Sequence, residues 1–162
     1  MDIEIIIHKA VIAGRLAAER MPKDSYKATE ARLAALPDIR AKLEDDRKAL
    51  ADMKSGKDRN WYVIRFLKSG SRLTPEEVLK ALTMDLEAAI TADEYEIEVM
   101  ERALAIISDD PYYGTVAGRY FDFMTDEEIA ERISCDASTV WRNRKRLVQR
   151  LAVRLYGAEA VR

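Results

Sequence analysis

From Leu79 to Ile107 the chain lays down an apolar stripe at three- and four-residue steps: Leu79, Leu82, Leu86, Ile90, Ile97, Met100, Leu104 and Ile107, broken only by Asp93. That period is one face of an α-helix. Its start is marked three times: Thr74 can cap, Pro75 takes the first helical position, and Glu77 completes a capping box. Its end falls at Asp109-Asp110-Pro111, because proline disfavours helix in the residue before it. One helix from about Pro75 to about Ser108 is expected, longer than most globular helices. Six glycines and four prolines in 162 residues are about half the usual share of roughly 12%. With so few breakers the fold class is expected to be all-α.

Towards the amino terminus, residues 1–20 read as helical, with a strand over Ile3–Ile7 as the alternative, since β-branched residues favour strands. Met21–Ser25 reads as a break. Tyr26 to Leu36 is again helical, and Pro37 restarts or kinks it. From Asp38 to Lys54 the apolar positions Ile39, Leu43, Leu50 and Met53 are interrupted by Asp46, and the outer faces carry dense charge. Bundle helices or a short coiled coil fit that pattern. Ser55–Asn60 is a polar joint before the aromatic run Trp61–Leu67.

Cys135 is the only cysteine and His8 the only histidine. An internal disulfide, a multi-cysteine metal site and a histidine-pair metal site are excluded, and a Ser-His-Asp triad is disfavoured. There is no glycine-rich phosphate loop, so no cofactor, metal or reaction is expected. No stretch approaches the ~18 uninterrupted apolar residues of a membrane span; Glu4, His8 and Lys9 interrupt Ile3–Ala13. Met1-Asp2 carries no basic run of a secretory signal. A cytoplasmic protein without membrane contact is the expectation.

Charge is split along the chain although its net value is only -2. Asp85–Asp110 holds nine acids and one base, Arg102, whereas Ala137–Ala158 holds six bases and no acid. The acidic surface could meet basic partners or keep DNA from that face. A second basic cluster, Lys54, Lys57, Arg59, Arg65, Lys68 and Arg72, is interleaved with Trp61, Tyr62 and Phe66. Such a mixture suits either a linker with core aromatics or an auxiliary nucleic-acid contact.

Residues 112–157 carry the most information. A short helix from about Val116 to Phe123 should turn Val116, Tyr120 and Phe123 inward. Thr125 and Glu128 form another capping box, starting a helix at Asp126 with Ile129, Ala130 and Ile133 inward. Ser134-Cys135-Asp136 is a tight turn, and Asp136 caps a helix running through Val140, Leu147, Val148, Leu151 and Leu155 to Gly157. A two-turn helix, a tight turn and a longer basic helix describe a helix-turn-helix.

The segment Arg119-Tyr120-Phe121, Thr125-x-x-Glu128-Ile129-Ala130, Ser138-Thr139-Val140 and Arg142-x-Arg144-Lys145-Arg146-Leu147 resembles region 4 of sigma-70-type factors. It also resembles the sigma-like domains of phage late-gene activators of the RinA and ArpU kind. The resemblance spans about Tyr112–Gly157. Two positions depart from it: Ser134 stands where glycine is common, and Arg144 where an aliphatic residue is usual. Nothing resembles sigma region 2. The resemblance implies a transcription regulator of phage or prophage genes that binds double-stranded DNA, with RNA polymerase as a further partner.

Projected at ~100° per residue, Ser138, Arg142, Lys145, Arg146 and Gln149 lie opposite the buried stripe, with Thr139 and Asn143 on one flank and Trp141 on the other. Arg142 and Arg146 are the candidates for bidentate contact to guanine, and Asn143 for adenine or a phosphate-supporting role. Lys145, Arg150, Ser138 and Thr139 are candidates for phosphate contact. A merely solvated basic face is the plainer alternative, disfavoured because the helix offers no acid to pair with. Trp141 is expected to pack on Tyr113, Tyr120 or Phe123, and Arg144 to pair with Glu128 or Glu131 or reach the domain edge. The expected division is a helical bundle or oligomerisation part, 1–110, and a helix-turn-helix DNA-binding domain, 111–162. The long helix would dimerise to join two half-sites. Rival readings are a module docking on RNA polymerase or a sigma factor, and a DNA-packaging adaptor like a small terminase subunit.

Overall fold

A computed structural model of the chain describes residues 3–18, 22–56 and 74–161. The basic aromatic cluster of residues 54–72 lies outside them from residue 57 onward. The described elements are helices α1 (Ile3–Ala18), α2 (Ser25–Ser55), α3 (Pro75–Ala105), α4 (Tyr113–Tyr120), α5 (Asp126–Arg132) and α6 (Ala137–Tyr156), then a 3₁₀ turn, Ala158–Val161. No strand occurs among the described residues, so the protein is all-α there and Ile3–Ile7 is helical. No described helix is long and apolar enough to cross a membrane.

Local signals account for most boundaries. Thr74 and Glu77 close their capping box, with Thr74 N–H donating to Glu77 Oε2 at 2.8 Å and Glu77 N–H to Thr74 Oγ1 at 3.3 Å. Helix α2 does not restart at Pro37 but continues through it. An interior proline costs ~3 kcal/mol. Leu33 and Leu36, both fully buried beside it, contribute about 1.5–3 kcal/mol each and outweigh that cost. Helix α3 stops at Ala105 rather than Ser108: the N–H groups of Ile106 and Ile107 turn to the carbonyls of Ala103 and Leu104, the tightened i→i−3 pattern of a helix end.

The chain divides into two compact units, Met1–Ala18 with Ile39–Tyr95, and Glu19–Asp38 with Glu96–Arg162. These units divide the chain through α2 and α3, whereas the sequence expectation divides it at residue 110. The physical reason is a shared core. Leu33 and Leu36 from α2, and Met100, Ala103, Leu104 and Ile107 from the end of α3, are buried with Val116, Tyr120, Leu147, Val148 and Leu151. A second small cluster joins Ile129, Ala130 and Val140, flanked by half-buried Met124, Ile133 and Cys135.

In the other unit, Leu43, Met53, Val78 and Ile90 are buried. The second half of α2 runs against α3 in the opposite direction, with Lys42 at 2.7 Å from Asp93, Arg47 at 2.8 Å from Glu94 and Lys54 at 2.8 Å from Glu87. Lys42 also holds Asp46, so the two acids that break the apolar stripes share one lysine. In the carboxy-terminal unit Glu96, only 6% exposed, takes a fork from Arg32 at 2.7 and 2.9 Å. The acid-rich segment 85–110 is thus partly neutralised by bases of α2 rather than standing as a free acidic surface. Much of the α3 stripe (Ile90, Met100, Leu104 and Ile107) is buried within the chain.

Candidate nucleic-acid interface

The amino termini of both α5 and α6 are capped as their sequences require. Thr125 N–H donates to Glu128 Oε2 at 2.7 Å and Glu128 N–H to Thr125 Oγ1 at 3.3 Å. Asp136 accepts from the backbone N–H and the hydroxyl of Thr139, both at 2.8 Å, and from the Ser138 hydroxyl. These donors, Ser138 first, hold the Asp136 carboxyl far below the usual carboxylate range. Between the helices Ser134 adopts φ 55°. That is the left-handed region, which favours glycine. Gly157, at φ 83°, closes α6.

Helix α6 buries Val140, Arg144, Leu147, Val148, Leu151 and Ala152. Arg144 is 8% exposed, and its partner is Asp126 at the start of α5, not Glu128 or Glu131. Nη2 donates to Asp126 Oδ2 at 3.0 Å, and Nη1 donates to Oδ1. The guanidinium keeps the Asp126 carboxyl below its ordinary range. Buried nearby, the Tyr120 hydroxyl donates to Glu30 at 2.6 Å, and burial followed by Glu30 pushes its ionisation well up. Trp141 does not pack inward: it is 51% exposed, and Lys145 Nζ sits 5.2 Å from its ring centroid. Phe123, expected inward, is 74% exposed at φ 54°, because α4 ends at Tyr120 and the chain turns sharply before α5.

The outward face of α6 presents Ser138, Arg142, Lys145, Arg146, Gln149 and Arg150, all exposed, with Thr139 and Asn143 half-buried on its flank. The candidate residues are therefore together on one helix, but their donors are not equally free. Among the described residues Arg142 has only a long contact, Nη2 to Ser138 Oγ at 3.4 Å. The hydroxyl protons of Ser138 and Thr139 point to Asp136, which leaves neither to donate to a phosphate in this arrangement. Asn143 Nδ2 donates to Thr139 O at 3.0 Å, and its Oδ1 accepts from Arg146. Arg146 also forks onto Asp110, Nη1 to Oδ2 and Nη2 to Oδ1, both at 2.9 Å. Arg150 Nη1 lies 3.5 Å from the same Oδ2.

The helix holds no acid of its own, as its sequence requires, but Asp126 and Asp110 supply partners from outside it. The guanidinium of Arg146 lowers the Asp110 carboxyl below its usual range, and Asp110 in turn raises Arg146. Sequence reading treats both acids as helix-boundary residues, and nothing local links position 110 to 146 or 126 to 144. Among the described residues no group of three or more His, Cys, Asp or Glu side chains could hold a metal ion. No protein-family model, curated protein or solved structure matches the chain.

Proposed function

We propose that the carboxy-terminal unit is a helix-turn-helix domain of the sigma region 4 kind, and that the protein is a sequence-specific double-stranded DNA-binding regulator of transcription, of phage or prophage type. The observation that carries this reading is the outward face of α6. Arg142, Lys145, Arg146 and Arg150 stand there with no acid on the helix itself, directly after a capped two-turn helix and a tight turn. In such domains the start of the second helix enters the major groove. Arg142, exposed and without a carboxylate partner among the described residues, is the leading base reader, able to present two parallel donors to guanine. Lys145 and Arg150 supply phosphate contacts. Selection of bound duplexes from a random pool with the purified protein tests the proposal: enrichment of a defined motif supports it, and no enrichment over input refutes it.

A second reading, docking on RNA polymerase or a sigma factor, is favoured by the exposed rings of Trp141 and Phe123, since aromatics are enriched in protein interfaces. Arg142→Ala separates the two. It should weaken DNA binding in the first case and leave polymerase binding intact in the second.

A further inference from the structure

Arg146 has five N–H donors, and four of them are engaged. Nε–H and one Nη2 hydrogen face Asn143 Oδ1, at 3.3 and 3.2 Å, while Nη1 and the other Nη2 hydrogen face Asp110, both at 2.9 Å. Both edges of the planar fork that would pair with a guanine or a phosphate are therefore occupied. Arg150, four residues on, converges on the same carboxylate oxygen, Asp110 Oδ2, at 3.5 Å. Two guanidinium groups from successive turns of one helix thus aim at a single anionic oxygen. That oxygen belongs to a side chain only 11% exposed, while the arginines are 45% and 47% exposed. Asp110 is itself fixed, because its Oδ1 accepts the backbone N–H of Tyr112 at 3.0 Å. Such a geometry is a phosphate-binding fork filled by a carboxylate of the same chain.

We infer that Asp110 is a built-in competitor for the DNA backbone: its carboxylate occupies the position that a phosphate oxygen takes between Arg146 and Arg150, and while it stays there it keeps the backbone from both. The inference rests on the DNA-binding reading above and adds to it the residue that restrains that surface. Two consequences follow from charge alone. While Asp110 stays in place, Arg146 and Arg150 are partly neutralised and recruit fewer phosphates, so the salt dependence of binding is shallow. Once it is removed, the two arginines become free cations and the salt slope steepens by about 0.9 per phosphate gained.

The test uses the full chain and its Asp110→Asn variant, which loses the charge but keeps Oδ1 as acceptor for Tyr112. Asp110→Ser, whose hydroxyl can also accept that N–H, serves as the second variant. Thermal melts identify which variants remain folded. Binding to a selected duplex and a random duplex is titrated over salt. Asp110→Asn should bind the random duplex about three- to tenfold more tightly at low salt, with the log–log slope steeper by about one to two units. In an Arg146→Ala/Arg150→Ala background the same substitution should lose most of that gain. If the gain persists there, Asp110 is only a repelling charge and the inference is overturned. If wild-type protein binds DNA and neither folded Asp110 variant changes affinity or slope, the inference falls while the DNA reading stands. If neither wild type nor variants bind any duplex, both fall together.

Discussion

Two glycines in α4 should respond to the same substitution with opposite signs. Gly118 is buried, and a Cβ built on it would sit 2.8 Å from Ile129 Cγ1 and 3.1 Å from Ile129 Cδ1. Replacing an interior helical glycine by alanine normally gains about 0.8–1 kcal/mol of helix propensity. Here the approach is closer than van der Waals contact, and Ile129 is 0% exposed with a β-branched side chain stiff about χ1. The ring of contacts around it leaves no low-energy retreat, and overpacking of this kind costs about 1–3 kcal/mol. Because the clash involves a branch atom and not a flexible tip, overpacking wins, and Gly118→Ala should be less stable than wild type by about 1–2 kcal/mol. Gly114 is the control: its added Cβ would lie 3.5 Å from Ile133 Cγ2, an ordinary contact, so Gly114→Ala should gain about 0.5 kcal/mol. Denaturant midpoints on the two variants measure the difference, with melting shifts of about 2–4 °C per kcal/mol for a chain of this size. In an Ile129→Ala background, Gly118→Ala should become neutral or stabilising. A Gly118→Ala protein as stable as wild type would refute the close α4–α5 approach, and with it the way α5 is seated beneath α6.

What could be read along the chain is what is settled within one turn of helix. The capping boxes Thr74–Glu77 and Thr125–Glu128 and the Asp136 cap have both partners within three residues, and each forms as expected. The all-helical class follows from the same locality, as does the gathering of Arg142, Lys145, Arg146 and Arg150 on one face. At position 37, of the two outcomes a proline allows, restart or kink, the helix does not restart, and two fully buried leucines beside the proline offset its local cost. The pairings of charge were not legible. Arg144–Asp126 is separated by 18 residues, Arg146–Asp110 by 36 and Arg32–Glu96 by 64, and runs of like charge in a sequence do not identify their partners. That is why Glu128 and Glu131, near in sequence, stand as the expected partners of Arg144 in place of Asp126. The sharing of a core between α2 and the carboxy-terminal helices was hidden for a related reason. Leu33 and Leu36 belong by periodicity to an amino-terminal helix, yet they bury the core of the carboxy-terminal unit. Helical projection places Phe123 and Trp141 by angle alone. It could not register that the helix before Phe123 ends at Tyr120, or that the Trp141 ring takes Lys145 as its neighbour.

Phe123→Asn should stabilise the protein by about 0.5–1 kcal/mol, since a bulky residue at φ 54° is replaced by one that tolerates the left-handed region; a loss in a urea melt would mean that the exposed ring is held by a contact. Arg142→Ala should cost about 1–3 kcal/mol on a selected duplex and relax base preference there, whereas Lys145→Ala should weaken selected and random duplexes alike and reduce the salt slope by about one unit; equal loss on both duplexes in both variants would make α6 a nonspecific clamp. Arg144→Ala should destabilise by about 2–3 kcal/mol, less than the 3–5 of a fully buried pair because the Asp126 side chain keeps 26% exposure. The paired change Arg144→Met with Asp126→Leu should be near neutral at pH 7, since two desolvated charges are exchanged for apolar contact. The two proteins should then part as the solution is acidified. The folded-state value of Asp126 lies below its unfolded one. Its contribution is therefore complete above the unfolded value, near 3.9, and is lost as pH falls from there through the folded value. Melting temperature of the wild type should drop through that window, and part of the drop should be missing in the double variant, which no longer has the carboxylate. Parallel acid limbs for the two proteins would show that the Arg144–Asp126 pair adds nothing to the pH dependence of stability, and that Asp110, Glu128 and Asp136, whose carboxyls are also lowered, carry it instead.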